Sequence, residues 1–287
     1  MRSIVATAIL ALAVPGVGAS WQAANRQEPD RPLLEQTRSA LGGESLAALR
    51  TLRVEGQSTR VVGPLRLSSA VELLLERPDR FLRSDRMRLA GSSAETVSGF
   101  VGDQFFQRTP PSPGQPPGNH PSPDQSQAVM RAAAVGFRKE LTLLLLGFFG
   151  GTFDGSPLQV ERLGSAEAPD GKADALRLTF GDGSLATLFI DVDTHLPLMV
   201  SWQGSDQAEA VRLATTTGMS AGSVLTAAAA LPLVEHRLHF SDYRQVDRLR
   251  WPFLVRRTGG GAPMEELRFD RFTLNPVFNA RTFVGDR

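Results

Sequence analysis

Residues 65–76 read LRLSSAVELLLE. Leu65, Leu67, Ser69, Val71, Leu73 and Leu75 fall on one side of a period of two, and five of these six are apolar, against two on the other side. Side chains alternate between the faces of a strand, so this is a strand with one buried face. The pattern extends to both sides. Leu52, Val54, Gly56 and Ser58 alternate with Arg53, Glu55, Gln57 and Thr59. Pro78-Asp79 marks a turn into a strand at 80–89, and 96–101 with 104–107 form a hairpin around Gly102-Asp103. Further strands are expected at 176–180, 185–192, 197–202, 234–243, 251–257 and 265–274, joined by short turns such as Gly181-Asp182-Gly183 and Gly259-Gly260-Gly261. About ten strands at such short spacing predict antiparallel hairpins rather than alternating strands and helices.

The period changes in three places. Residues 32–41 form a short helix, with Asp30 as cap, Pro32 in the first turn and Gly42-Gly43 as stop. A second short turn covers 44–49. The long helix spans 126–149, where Val129, Ala133, Phe137, Leu141, Leu144, Leu145 and Phe148 recur at three- and four-residue spacing opposite Arg131, Arg138, Lys139 and Thr142. Its C-terminal end is apolar all round, so it must be buried or line an apolar cavity. The stretch 109–126, TPPSPGQPPGNHPSPDQS, carries seven prolines and reads as an extended loop. Residues 204–232 are rich in Ala, Thr, Ser and Gly and read as an insertion with a short helix at 223–230.

The whole chain has 287 residues, 31 Lys+Arg against 30 Asp+Glu, 41% hydrophobic residues and no cysteine. That composition supports a packed core and excludes disulfides, thiolate metal sites and thiol catalysis. Near-neutral charge argues against nucleic acid as the main partner, because binding phosphates needs a concentrated positive field. Residues 1–19 have the pattern of a cleavable signal peptide: Arg2, an apolar run from Ile4 to Val14, Pro15-Gly16, and Val17 and Ala19 at the cleavage positions. The run has 11 residues, short of the roughly 20 that span a bilayer. A polar leader at 20–30 and one domain at 31–287 follow, and the expected compartment is the periplasm.

Chemistry-bearing constellations are sparse. His236 and His239 lie three apart in a strand, hence on opposite faces, while His120 and His195 fall in a loop and a turn. Gly218-Met219-Ser220-Ala221-Gly222 matches the nucleophile-elbow spacing, but no histidine follows position 239 and no parallel sheet is indicated. Asp191 and Asp193 share a strand face next to Thr194 and read as turn formers. Glu265-Glu266 reads as a solvated pair. No phosphate loop, dinucleotide fingerprint or metal motif is present, so no cofactor, no metal and no catalytic residue is expected.

What remains is a wide sheet with one oily face, which must curl around the long helix. Its interior is either filled by its own Phe and Leu side chains or partly open to an apolar ligand. Size and inward phase select Leu73, Leu75, Phe81, Leu144, Phe148, Leu188, Ile190, Trp202, Phe240 and Phe253 as candidate lining residues.

Several segments resemble the LolA/LolB-type periplasmic lipoprotein-carrier superfamily. They are Ala40-Leu41-Gly42-Gly43, Phe189-Ile190-Asp191 running into Thr194-His195-Leu196-Pro197, and Phe240-Ser241-Asp242-Tyr243-Arg244-Gln245-Val246-Asp247 followed by Leu249-Arg250-Trp251-Pro252-Phe253, then Asn275-Pro276 and Phe283. The resemblance implies a mainly β fold, an unclosed barrel of about eleven antiparallel strands with helices over its concave face. It also implies a cavity that receives acyl chains of a lipid or lipoprotein. The expected function is non-enzymatic lipid or acylated-lipoprotein binding and carriage. An envelope sensor or scaffold that uses the same fold to bind a protein is the alternative, and a hydrolase using Ser220 is a third reading.

Overall fold

The computed structural model describes residues 31–89, 92–108, 123–151, 159–168, 171–205, 232–279 and 281–283. Two short helices, α1 (Arg31–Leu41) and α2 (Glu44–Ala48), precede five strands: β1 (Thr51–Val62), β2 (Leu65–Glu76), β3 (Arg80–Leu89), β4 (Ser92–Val101) and β5 (Gln104–Arg108). The long helix α3 (Pro123–Phe149) comes next. Seven strands complete the chain: β6 (Gln159–Ala168), β7 (Gly171–Thr179), β8 (Leu185–Asp191), β9 (Pro197–Ser205), β10 (Leu233–Val246), β11 (Leu249–Gly259) and β12 (Ala262–Leu274).

All twelve strands join one sheet in the order β5-β4-β3-β2-β1-β12-β11-β10-β9-β8-β7-β6. Every neighbouring pair is antiparallel. The first and last strands pair in the middle, and β5 and β6 form the two edges, so the sheet is an unclosed barrel. This order decides the role of α3. The chain reaches one edge with β5 and resumes at the opposite edge with β6, so the helix between them crosses the sheet. Its 27 residues make it about 40 Å long, most of the roughly 53 Å that eleven strand-to-strand steps span when laid flat. Among the described residues, no helix is long and apolar enough to cross a membrane.

Local chemistry fixes the hairpins. Between β11 and β12, Gly260 and Gly261 both have positive φ, 56° and 83°, as a two-residue turn that follows the strand twist requires. The inner face then follows the alternation: Leu52 and Val54 on β1, Val71, Leu73 and Leu75 on β2, Trp251, Phe253 and Val255 on β11, and Leu267 and Phe269 on β12 are all buried in one core with Leu143–Leu146 and Phe148 of α3. A second, smaller cluster lies on the outer face, where Phe283 from the C-terminal segment covers Leu74, Leu82 and Val97. Asn275 starts that segment, and its Oδ1 accepts a hydrogen bond from the Arg50 backbone N–H at 2.9 Å.

Three expectations need correction. Among the described residues twelve strands are present, and the one missed outright is β6, an edge strand whose exposed Glu161 and Glu167 and whose shift in register at Gly164 blur the period of two. The helix α3 begins at Pro123, inside the stretch expected to be loop to 126; proline is accommodated in a first turn, where its missing N–H has no partner to lose. Gly204 and Ser205 belong to β9 rather than to the insertion. The signal peptide, the leader, residues 109–122 of the proline-rich stretch (His120 included), and 206–231 with Ser220 and the short helix at 223–230 lie outside the described residues.

Candidate ligand cavity

A small cavity of about 20 Å³ lies between the sheet and α3. Leu73, Phe81, Leu238 and Leu267 form its sheet side, and Phe137, Leu141 and Leu144 its helix side. Arg83, Glu140 and Glu265 add a charged end. The volume suits about one water molecule and no acyl chain, so at this place the space between sheet and helix is nearly filled by the protein's own side chains.

All ten residues selected from the sequence belong to the main core, and Leu73, Phe81 and Leu144 line the cavity. The other seven pack away from it. Phe148 stands edge-on to Trp251 and Phe269, with ring centroids 5.7 and 5.9 Å apart. Phe253 meets Phe272 at 4.9 Å. Trp202 stacks on the buried His236 at 5.4 Å. Phe240 lies so close to Gly147 that a Cβ there would run into its ring. Leu75, Leu188 and Ile190 are fully enclosed. Gly147 is thus a point of close packing.

The two halves of α3 are held differently. Leu143 to Phe149 are buried, whereas Val135 is 70% exposed and Phe137 and Leu141 are half-buried. Phe137 sits among Phe81, Phe100 and Phe105, with centroid distances of 5.6, 5.7 and 5.7 Å. Arg138 lies over the Phe100 ring and donates to the Gly102 carbonyl at 3.3 Å. Glu140 accepts from Arg257 at 2.8 Å. The half of the helix that roofs the cavity is therefore fixed by three ring contacts, the Arg138 stack on Phe100 and polar ties from Arg138 to Gly102 and Asp103 and from Glu140 to Arg257, and the other half by the core.

The charged end overturns the reading of Glu265-Glu266 as solvated. Glu265 is buried and Glu266 is not, because alternation turns Glu265 inward in phase with Leu267 and Phe269 and turns Glu266 outward between Arg256 and Arg268. Glu265 Oε1 accepts from Ser58 at 2.8 Å, Arg60 at 2.9 Å and Arg83 at 2.5 Å. Arg83 also forks onto Asp85 at 2.8 and 3.1 Å, and Arg60 and Ser69 reach Asp85 too. Burial pushes the Glu265 carboxyl up, but Arg83 and Arg60 outweigh it and hold it well below the usual carboxylate range. Arg83 is held charged, with Glu265 and Asp85 outweighing its desolvation. The readable signal was phase: Phe81, Arg83 and Asp85 alternate inward, as do Glu265 and Leu267.

Asp191 Oδ1 accepts from the Thr194 backbone and hydroxyl, both at 2.7 Å, and closes the turn that places His195 at positive φ. Among the described residues, no three His, Asp or Glu side chains converge as a metal site requires.

No protein-family model matches the chain, and no curated protein is significantly similar to it. Solved structures similar to it include a LolA superfamily protein from Nitrosomonas europaea, at 8% identity over 90% of this chain and 98% of that one, with a TM-score of 0.49. A DUF1329 family protein from Desulfovibrio piger has 10% identity over 89% and 97%, with a TM-score of 0.46. A domain named for outer membrane lipoprotein sorting, from Vibrio parahaemolyticus, has 10% identity over 88% and 95%, with a TM-score of 0.45.

Proposed function

We propose that this chain is a divergent LolA-like protein that binds and carries acyl chains, of lipids or of acylated lipoproteins, in the periplasm and without a catalytic step. The signal-peptide pattern at 1–19 supports the compartment. The observation that carries the reading is the unequal fixing of α3 over an apolar interior: a half-buried roof of Phe137 and Leu141 on a helix whose other half is anchored.

The cavity has to enlarge to take an acyl chain. Lifting the roof breaks three ring pairs, the Arg138 stack on Phe100, its hydrogen bond to the Gly102 carbonyl and the Arg257–Glu140 ion pair, together about 5–9 kcal/mol. A chain of ten methylenes leaving water gains about 8 kcal/mol, so acyl burial is of the size needed to offset the opening.

Native mass spectrometry after mild extraction, with displacement of a fluorescent acyl probe from the delipidated protein, tests the reading. Bound acyl lipid and micromolar or tighter probe binding are expected. A lipid-free mass together with no probe binding overturns it.

A further inference from the structure

We infer that the tip of the β1–β2 hairpin docks on an anionic phospholipid bilayer, with Val62 and Leu65 entering the interface and Arg66 and Arg88 meeting the lipid phosphates. The inference goes beyond the acyl-binding reading and does not depend on it. β1 and β2 stay paired out to Val62 and Leu65, whereas the pairing of β12 with β1 ends at Arg60 and that of β3 with β2 ends at Ala70. The hairpin therefore projects beyond both neighbours as a two-stranded arm. Val62 and Leu65 face each other across it and are 36% and 58% exposed, and Pro64 between them is exposed too. They are not the end of the core. Between them and the core, the inner face of the arm carries the Ser58–Ser69 pair and Arg60, all hydrogen-bonded to Glu265 or Asp85. Packing within the chain thus does not account for the apolar tip, and a run of exposed apolar residues at a projecting turn is a liability unless something covers it.

Charge decides what covers it. Residues 59–69 of the arm and 86–89 at the adjoining end of β3 read TRVVGPLRLSS and RMRL, with four arginines and no acidic residue. Arg60 is bonded to Glu265 and Asp85, and Arg86 to Glu95. Arg66 and Arg88 are exposed and make no ion pair among the described residues. Alternation puts both in phase with Ala70 and Arg86, on the face opposite Val62 and Leu65. The arm thus offers free cations beside an apolar end. An anionic bilayer supplies both complements in adjacent layers, phosphates outside and acyl carbon beneath. β8 and β10 begin at the same end of the sheet, where Leu185 and Leu233 are also exposed, so the arm stands on a rim with apolar points of its own.

Flotation of the chain, purified after export, with palmitoyl-oleoyl phosphatidylglycerol vesicles or phosphatidylcholine vesicles tests the inference. Binding to phosphatidylglycerol is expected to be at least about tenfold tighter, and to fall in about 0.5 M salt, which screens exposed charge. Arg66→Gln with Arg88→Gln should weaken it by about fivefold for each arginine and leave phosphatidylcholine binding unchanged. Val62→Ser with Leu65→Ser should weaken binding to both vesicles by about tenfold. Val277→Ser is the control: it removes an exposed apolar side chain at the opposite end of β1, where Asn275 meets Arg50, and should change nothing. Unchanged melting temperatures report that the variants are folded; should one fail to fold, the lipid and salt dependence of the wild type and the other variant decide. No binding of the wild type to phosphatidylglycerol overturns the inference, as does binding that both folded double variants retain. Loss in the arginine variant alone overturns insertion of the tip, and an equal loss in Val277→Ser overturns the assignment to this hairpin.

Discussion

The Arg83 guanidinium on β3 and the Glu265 carboxylate on β12 meet at 2.5 Å inside the curve of the sheet, with β2 and β1 between their strands. Both side chains are less than a tenth exposed. A contact between strands that far apart in the sheet needs the sheet to curl, so this pair ties its centre to its first half. Arg83→Met leaves Glu265 and Asp85 with Arg60 as their remaining guanidinium and is expected to cost about 3–5 kcal/mol. The exposed pair Arg80–Glu76 is the contrast, where Arg80→Ala costs under about 1 kcal/mol. Urea unfolding midpoints check both, and a similar small loss in the two variants would refute the tie.

The same carboxylate sets an acid limit. Its folded-state pKa lies below the ordinary value of 4.5, so the unfolded chain takes up the proton first as the pH falls. The stabilisation is fully present above about 4.5 and is lost progressively below it, as the pH falls toward the folded pKa. Urea midpoints taken from neutral pH down to about pH 3 should fall in the wild type. In Glu265→Gln the midpoint should start lower and fall less steeply. Parallel curves for the two proteins would contradict this.

How much of this could be read beforehand depends on what each signal encodes. Alternation in LRLSSAVELLLE gives strand and inner face together, because burial on one side is what produces it. The eight candidate lining residues on strands lie in the core, on the face that alternation gives, and so do Leu144 and Phe148, whose signal is helical spacing. Alternation could not tell packing from lining, since Leu75 and Phe81 face inward alike and only the path of α3 across the sheet decides which faces a gap. The polar end was misread for a different reason. Glu265 beside Glu266 suggests solvent when read as a pair, and only the phase of Leu267 and Phe269 turns one of them inward. The edge strand β6 lacks the buried face that writes the pattern.

The C-terminal segment contributes to stability from the outer face. Phe283 is 3% exposed over Leu74, Leu82 and Val97, and meets Phe278 edge-on at 5.4 Å. Phe283→Ala is expected to cost about 3 kcal/mol, the low end for such a truncation, because the cluster is small. Val277, 99% exposed in the same segment, should tolerate alanine within about 0.5 kcal/mol. Thermal unfolding of the two variants checks the difference. Equal melting temperatures would show that the segment does not seal the outer cluster.

Two glycines of α3 predict opposite signs for one substitution. Alanine is favoured over glycine in a helix interior by about 1 kcal/mol. Gly136 is exposed, and a methyl group added there would meet nothing within 4 Å, so Gly136→Ala should stabilise by the full propensity gain. At Gly147 the added methyl runs into the Phe240 ring, and overpacking of about 1–3 kcal/mol should outweigh the propensity gain. Phe240→Leu in the Gly147→Ala background vacates the ring position, so the double variant should lose less than the sum of the two single losses. Denaturant midpoints for the four proteins decide it: if Gly147→Ala stabilises as Gly136→Ala does, the helix does not approach β10 as closely as the packing against Phe240 requires.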